Sequence, residues 1–287
     1  MTGEENTFET VSIRGRPVWW SGTRYLPGPL TVLENPWIQY CVLLPREEDD
    51  PDFASFAPTG FAALRALGMG TGLTHLEWFR RADGSAVISE VGARPPGVHI
   101  MPMMSLAHGI DMIEAWVRLV VHETFDPPRR IAAAGTAFLR SQGRGGRVVA
   151  VEGLREVVAE LGGVVVEVRA PQVGQPVAES YEGEGHVIVR APRTETVRAA
   201  LAQIVGRVRV RRGHRLRERD PEPAAPPHGE QSEEPAQGLR ERSVRAGGAA
   251  HREPRLAALA GLGERSRDQT LPPAEVCLLY TSDAADE

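Results

Sequence analysis

Residues Gly72 to Gly97 read GLTHLEWFRRADGSAVISEVGARPPG. Two alternating runs, Leu73 to Phe79 and Ala86 to Glu90, flank Asp83-Gly84. Asp-Gly between alternating runs is the strongest short-range hairpin signal. With Asp83 and Gly84 as the two turn residues, Phe79 faces Ile88 and Glu77 faces Glu90. Carboxylates directly opposite one another repel, so a chain places them there either at a solvated edge or around a cation. Hard cations such as Mg²⁺ take carboxylate oxygens. The Phe79–Ile88 pair, one step away on the same face, points to a partly buried site and favours the cation.

Outward from the hairpin, Gly92 to Gly97 forms a tight turn. Pro95-Pro96 is rigid and its flanking glycines are permissive, which fixes Arg94 in one direction. Ser105 to Val121 carries Leu106, Ile110, Ile113, Trp116 and Val117 at helical offsets and predicts one helix. Upstream, a strand pattern starts at Gly3, turns at Gly15 and returns over Arg16 to Trp20. Trp19 and Trp20 then point to opposite faces. SGTRYLPGPL is Gly/Pro-rich and predicts a loop that holds Arg24 and Tyr25. Ile38 to Leu44 reads as a strand, Arg46 to Asp52 as an acidic loop and Phe53 to Leu67 as a helix interrupted near Pro58. Met101, Met103 and Met104 read as packing residues, and His99 and His108 as ordinary ones.

A second unit follows Asp126-Pro-Pro. Strands are expected at Ala132 to Leu139, Arg147 to Val151, Gly163 to Val168 and Gly185 to Ala191, with helices at Gly153 to Leu161 and Thr194 to Val208. That mixture predicts a small α+β module. From Arg211 the pattern collapses into Arg, Glu, Pro and Gly, a composition that cannot bury enough apolar surface to offset chain entropy. The expected division is 1–130, 131–211 as a lid-like domain, a disordered tail over 212–276, and 277–287. The last eleven residues, CLLYTSDAADE, resemble the translation of a transposase adapter used in sequencing libraries and are set aside as a scar.

Composition narrows the function classes. The formal net charge of −5 gives no reason to expect nucleic acid or an anionic membrane as partner. Two cysteines, Cys41 and Cys277, make no disulfide framework. No apolar run is long enough to span a bilayer, so a cytoplasmic location is the default expectation. All 33 basic residues are arginines, so a lysine that holds phosphates cannot come from this chain. There is no Walker-type phosphate loop, no G-x-G-x-x-G after a strand and no zinc-spaced cysteine pair.

HLEWF, the hairpin, ISEVGARPPG and then a helix carrying AHGID resemble the C-terminal half of the ATP-grasp fold, in its carboxylate–amine ligase subgroup. GEENTFETV is similar to that family's G-x-E strand. The resemblance covers Gly3 to about Val121, and residues 132–210 are similar to the small C-terminal domain that closes many of these ligases. It implies an α+β fold, an antiparallel sheet with helices, cut at its N-terminus. ATP and Mg²⁺ would be its cofactors, and a small-molecule carboxylate and an amine its substrates, joined through an acyl phosphate. An assembly of two copies stays open. Residue by residue, the resemblance implies that Glu77 and Glu90 hold the metal and that Arg94 binds a carboxylate or phosphoryl oxygen. Gly92 stands where many relatives carry a metal-binding Asn. Glu5, Glu9, Arg24, Tyr25 and His75 are weaker substrate-contact candidates, each with an ordinary structural reading beside it. Two alternatives accompany the ligase reading: a carboxylase or kinase of the same fold, and a fragment that turns nothing over.

Overall fold

The computed structural model describes residues 3–47 and 50–213. The chain opens with strand β1 (Glu4–Ile13), which turns at Arg14-Gly15 into β2 (Arg16–Leu26). Both turn residues have positive φ, 51° and 78°, the combination that matches hairpin twist. Next come a short helix α1 (Pro29–Glu34), β3 (Tyr40–Leu44) and α2 (Pro51–Ala66). The central hairpin is β4 (Gly72–Arg80) and β5 (Ala86–Gly92), followed by α3 (Ile100–His108) and α4 (Met112–His122). The remainder is β6 (Ala133–Leu139), β7 (Ser141–Gly143), β8 (Arg147–Glu152), α5 (Leu154–Leu161), β9 (Val165–Arg169), β10 (Gly185–Ala191), α6 (Thr194–Arg207) and β11 (Arg209–Gly213).

Eight strands form one sheet in the order β5-β4-β1-β2-β3-β6-β10-β9, and β7-β11-β8 form a small second sheet. Every pairing in the large sheet is antiparallel. The sheet runs without a break across residue 130, where sequence places a boundary, because β3 pairs with β6. The expected tail and terminal peptide lie outside the described residues, apart from 212 and 213. There β11 continues the pattern beyond Arg211, because Val210 is buried and the strand pairs with β7 and β8.

Helices cover both faces. On one, α3 and α4 pack Met101, Met103, Met104 and Leu119 onto Val11, Tyr40, Val42 and Phe138. On the other, α2 sets Phe53 and Phe56 against Phe8, Leu76 and Trp78, and α5 and α6 cover Leu43, Val187 and Val189. Trp19 joins the first core and Trp20 the α2 core, as alternation requires.

Three local readings of the sequence need correction. The SGTRYL segment is strand: β2 continues to Leu26 and bonds to both β1 and β3. Gly22, which reads as a loop signal, is a packing device, since a Cβ there would lie 2.5 Å from the Phe53 ring. The helix expected over Ser105 to Val121 is two helices. Gly109 ends α3 at φ 68°, and the Asp111 carboxylate caps α4 by accepting from the Ile113 and Glu114 amides, which satisfies donors a helix start leaves open. Pro58 sits inside α2 without ending it.

The third correction concerns the hairpin. Asp83-Gly84 is not a two-residue turn. The Arg81 amide donates to the Ser85 carbonyl (2.9 Å), the Gly84 amide donates to the Arg81 carbonyl (2.9 Å), and Gly84 has φ 81°. This is a turn followed by a left-handed residue, the usual three-residue hairpin loop. It shifts the register so that Phe79 pairs with Val87 and Trp78 with Ile88. A bulge at Ser89 then restores the shift, and Glu77 pairs with Glu90. Ile88 therefore belongs to the α2 core and not to the face of the two acids.

Candidate functional site

Glu77 and Glu90 are direct cross-strand partners on β4 and β5. Glu77 is half-buried and Glu90 exposed. Arg94, on the turn after β5, donates from Nη2 to Glu90 Oε1 at 3.2 Å and from Nη1 to the Pro95 carbonyl at 3.2 Å. Its side chain lies across Gly92, where a Cβ would come within 3.3 Å of it. A longer residue at position 92 would meet Arg94 as now placed.

Behind this pair, the same face of β1, β2 and β4 is polar and closed to solvent. Pairing sets Thr7 opposite Glu77, Glu9 opposite His75 and Thr7 opposite Thr23. His75 Nδ1 lies 2.9 Å from Glu9 Oε1, and its Nε2 lies 3.4 Å from Glu77 Oε1. The Tyr25 hydroxyl donates to Glu77 Oε1 at 3.1 Å. Thr7 Oγ1 donates to Glu9 Oε2 at 3.0 Å and meets Thr23 Oγ1 at 2.6 Å. Glu9 is fully buried and His75 nearly so. Burial alone would lower the His75 pKa, but its hydrogen bonds to Glu77 and Glu9 and their charges raise it to about 9. The two acids thus favour the protonated form of His75 between them. Burial pushes Glu77 up, and the His75 and Tyr25 hydrogen bonds with the Arg94 charge bring it below the ordinary carboxylate value. Burial also drives the Tyr25 phenol well up, with Glu77 next.

Glu5 extends the acidic face toward the start of β1. It is 8% exposed, its Oε2 has no partner among the described residues, and burial, with the Glu77 charge second, raises its pKa to about 7. Gly28 closes against it, since a Cβ there would stand 2.7 Å from Glu5 Oε2. Glu5 borders a cavity of about 870 Å³ whose wall includes Arg24, Asp50, Asp52, Arg80 and Thr194.

Of the residues singled out in sequence, the structure brings Glu5, Glu9, Tyr25, His75 and Glu77 onto one face, with Glu90 opposite Glu77 and Arg94 against Glu90. Arg24 is not among them. It sits on β2, not in a loop, and points to the other face. There Nη2 bonds both Asp50 oxygens (2.8 and 2.7 Å) and Asp52 (2.9 Å), over the Phe53 ring. It reaches the cavity wall only. Tyr181 was missed in sequence. It lies in loop 170–184, and burial first, then the charges of Glu182 and Glu77, raise its phenol, with Arg94 and Glu90 also in reach. A lone tyrosine in a polar loop carries no signal that could have found it.

Among the described residues no group of three or more His, Cys, Asp and Glu is arranged to hold a metal ion. Two facing carboxylates remain. Mg²⁺ is commonly bound by one or two carboxylates together with substrate phosphates and water, so the pair fits such an ion only in the presence of a phosphate ligand. Among the described residues no helix is long and apolar enough to cross a membrane.

No protein-family model matches the sequence, and neither does any curated protein sequence. Solved structures do match in fold. The L-amino acid ligase from Bacillus licheniformis superposes with a TM-score of 0.60 at 19% identity, over 74% of this chain and 55% of its own. N5-carboxyaminoimidazole ribonucleotide synthetase from Thermotoga maritima gives 0.52 at 15% identity, over 73% and 53%. Phosphoribosylglycinamide synthetase from Anaerococcus prevotii gives 0.51 at 13% identity, over 73% and 53%. The chain spans about half the length of these proteins. The likeness is one of fold: these solved structures share the α+β architecture seen here, an antiparallel sheet with helices, which is the fold that the resemblance stated from sequence implies.

Proposed function

We propose that the chain is the metal-holding and part of the nucleotide-holding portion of an ATP- and Mg²⁺-dependent ligase that joins a small-molecule carboxylate to an amine. The observation that carries the reading is the Glu77–Glu90 pair, directly opposed across a bulged hairpin with Arg94 against it. Opposed carboxylates repel; His75 and Tyr25 meet Glu77, and Arg94 meets Glu90, each at Oε1, and in this reading the metal takes the remaining carboxylate oxygens.

In this reading Glu77 and Glu90 would hold Mg²⁺, which supplies charge neutralisation at the phosphates while the carboxylate is activated as an acyl phosphate. His75 and Tyr25 fix the Glu77 carboxylate through Oε1. Arg94 presents a planar fork suited to a carboxylate or phosphoryl oxygen. The unpartnered, desolvated Glu5 oxygen accepts from hydroxyl or amino donors of a ligand in the neighbouring cavity, whose size is that of a small-molecule site.

A second reading, that this chain is a fragment that turns nothing over, is favoured by the absence of lysine from its 33 basic residues. The first reading requires Mg²⁺-dependent nucleotide binding, and tight binding counts against the second. Calorimetric titration of the chain with ATP, with and without Mg²⁺, is expected to show binding only with the metal. Glu77→Ala and Glu90→Ala should each weaken it by about a hundredfold. Unchanged binding in both variants would sink the metal assignment. ADP release on adding carboxylate and amine pairs separates the readings.

A further inference from the structure

Away from the acidic pair, a cavity of about 350 Å³ opens among α1, the end of β6, loop 170–184 and β11, lined in part by Leu33, Pro36, Arg140, Ser141, Glu184 and Arg212. Arg140 is only 6% exposed. Among the described residues its guanidinium makes one hydrogen bond, Nη1 to the Val32 carbonyl at 2.9 Å, and no ion pair. Arg212 donates from Nε to the Gly143 carbonyl at 2.8 Å, and its two terminal amino groups have no bond among the described residues. Glu184 is the buried acid beside them, but its oxygens are occupied. Oε2 accepts from the Ser141 amide (2.7 Å), and Oε1 accepts from the Ser141 hydroxyl (2.7 Å) and the Ala178 amide (3.2 Å). Glu179, the other acid on the wall, is exposed.

Arg140 and Arg212 line one cavity and neither bonds a carboxylate among the described residues, the Glu184 oxygens being taken by Ser141 and Ala178; a buried guanidinium without a bonded carboxylate favours an added anion. Burial holds Arg140 below the ordinary arginine value; Tyr40 and then Glu184 oppose it, and the Arg212 charge adds a smaller downward push. The Tyr40 hydroxyl, within electrostatic reach of Arg140, is buried without a partner among the described residues. We propose that this cavity binds a small oxyanion, a carboxylate or phosphate group, gripped by the free guanidinium edges of Arg140 and Arg212. Guanidinium forks match both groups in two-point geometry. The cavity shares no lining residue with the one beside Glu5, and the inference does not rest on the nucleotide reading.

The test is calorimetric titration of the full chain with inorganic phosphate and, separately, with acetate, free of Mg²⁺ and nucleotide. Saturable binding of at least one is expected. Phosphate without acetate assigns a phosphate-bearing ligand, and acetate without phosphate a carboxylate. Arg212→Met should weaken binding at least tenfold, and Arg140→Lys, which keeps the charge and loses the fork, by a similar factor. Arg65→Met, which removes an exposed arginine on α2 that lines neither cavity, should leave it unchanged. Absence of binding by both anions, wild-type affinity in Arg212→Met, or loss of binding in Arg65→Met would each overturn the site. Arg212 is half-exposed, so its variant decides the matter even where an Arg140 variant fails to fold.

Discussion

Strands β1 and β10 are buried along almost their whole length, yet they use that burial in opposite ways. β10 turns Val187, Val189 and Ala191 into the apolar core beneath α6. β1 turns Glu5, Thr7 and Glu9 into a closed polar face. The first arrangement stabilises by removing apolar area from water, at about 25 cal/mol per Å². The second stabilises only if every buried charge keeps its partner, because an unpaired one costs several kcal/mol. One half of the sheet is therefore a support, and the other half is a chemical surface held in place by it.

The largest break in this contrast is expected at Glu9. Glu9→Ala leaves the protonated form of His75 without its closest buried partner and should cost about 3–5 kcal/mol. Urea unfolding followed by tryptophan fluorescence measures it. The same variant should weaken Mg²⁺-nucleotide binding, because His75 then holds Glu77 alone. On the supporting side, Leu201→Ala empties a site in the α6 core and should cost about 2–5 kcal/mol while leaving nucleotide affinity of the folded protein unchanged. Loss of affinity in that variant would erase the distinction between the two halves.

The smallest effect belongs to Glu5. Its folded pKa, about 7, lies above the ordinary carboxylate value of 4.5. Its contribution to stability is therefore present at acid pH and lost as pH rises from about 4.5 through about 7. Subtracting the Glu5→Gln stability curve from that of the wild-type protein should show a decline confined to that window. A flat difference would mean that Glu5 is solvated and no part of the closed face.

The two strands also differ in how far sequence discloses them. β10 is legible because Val187, Ile188 and Val189 form a short β-branched run and Thr194 to Val208 has helical spacing. The Glu77–Glu90 pairing follows from a two-residue turn only because two departures cancel, a three-residue loop and the bulge at Ser89, whereas the parity of β1 does place Glu5 and Glu9 on one face. The network itself is not legible. Glu9 and His75 are far apart in sequence and meet only because β1 pairs with β4, a long-range choice that leaves no local mark. Sequence places Arg24 and Tyr25 in a loop because Gly22 looks like a turn signal, whereas it makes room for Phe53. The joined α3 and α4 share apolar spacing across the Gly109–Asp111 junction, so periodicity hid two caps.

Ser89 has a consequence for how such hairpins vary between sequences. By absorbing one residue, the bulge lets Ile88 face α2 while Glu90 faces Glu77, two positions that plain alternation would put on the same side. Deleting Ser89 would keep Trp78 with Ile88 and Glu77 with Glu90 on a straight strand closed by the same loop. Spacing between the two acids is therefore an elastic signature. A search of genomes that insists on one interval would discard sequences whose acids meet in the same place, and a one-residue deletion in this strand is a silent change in space although it is a visible gap in any alignment.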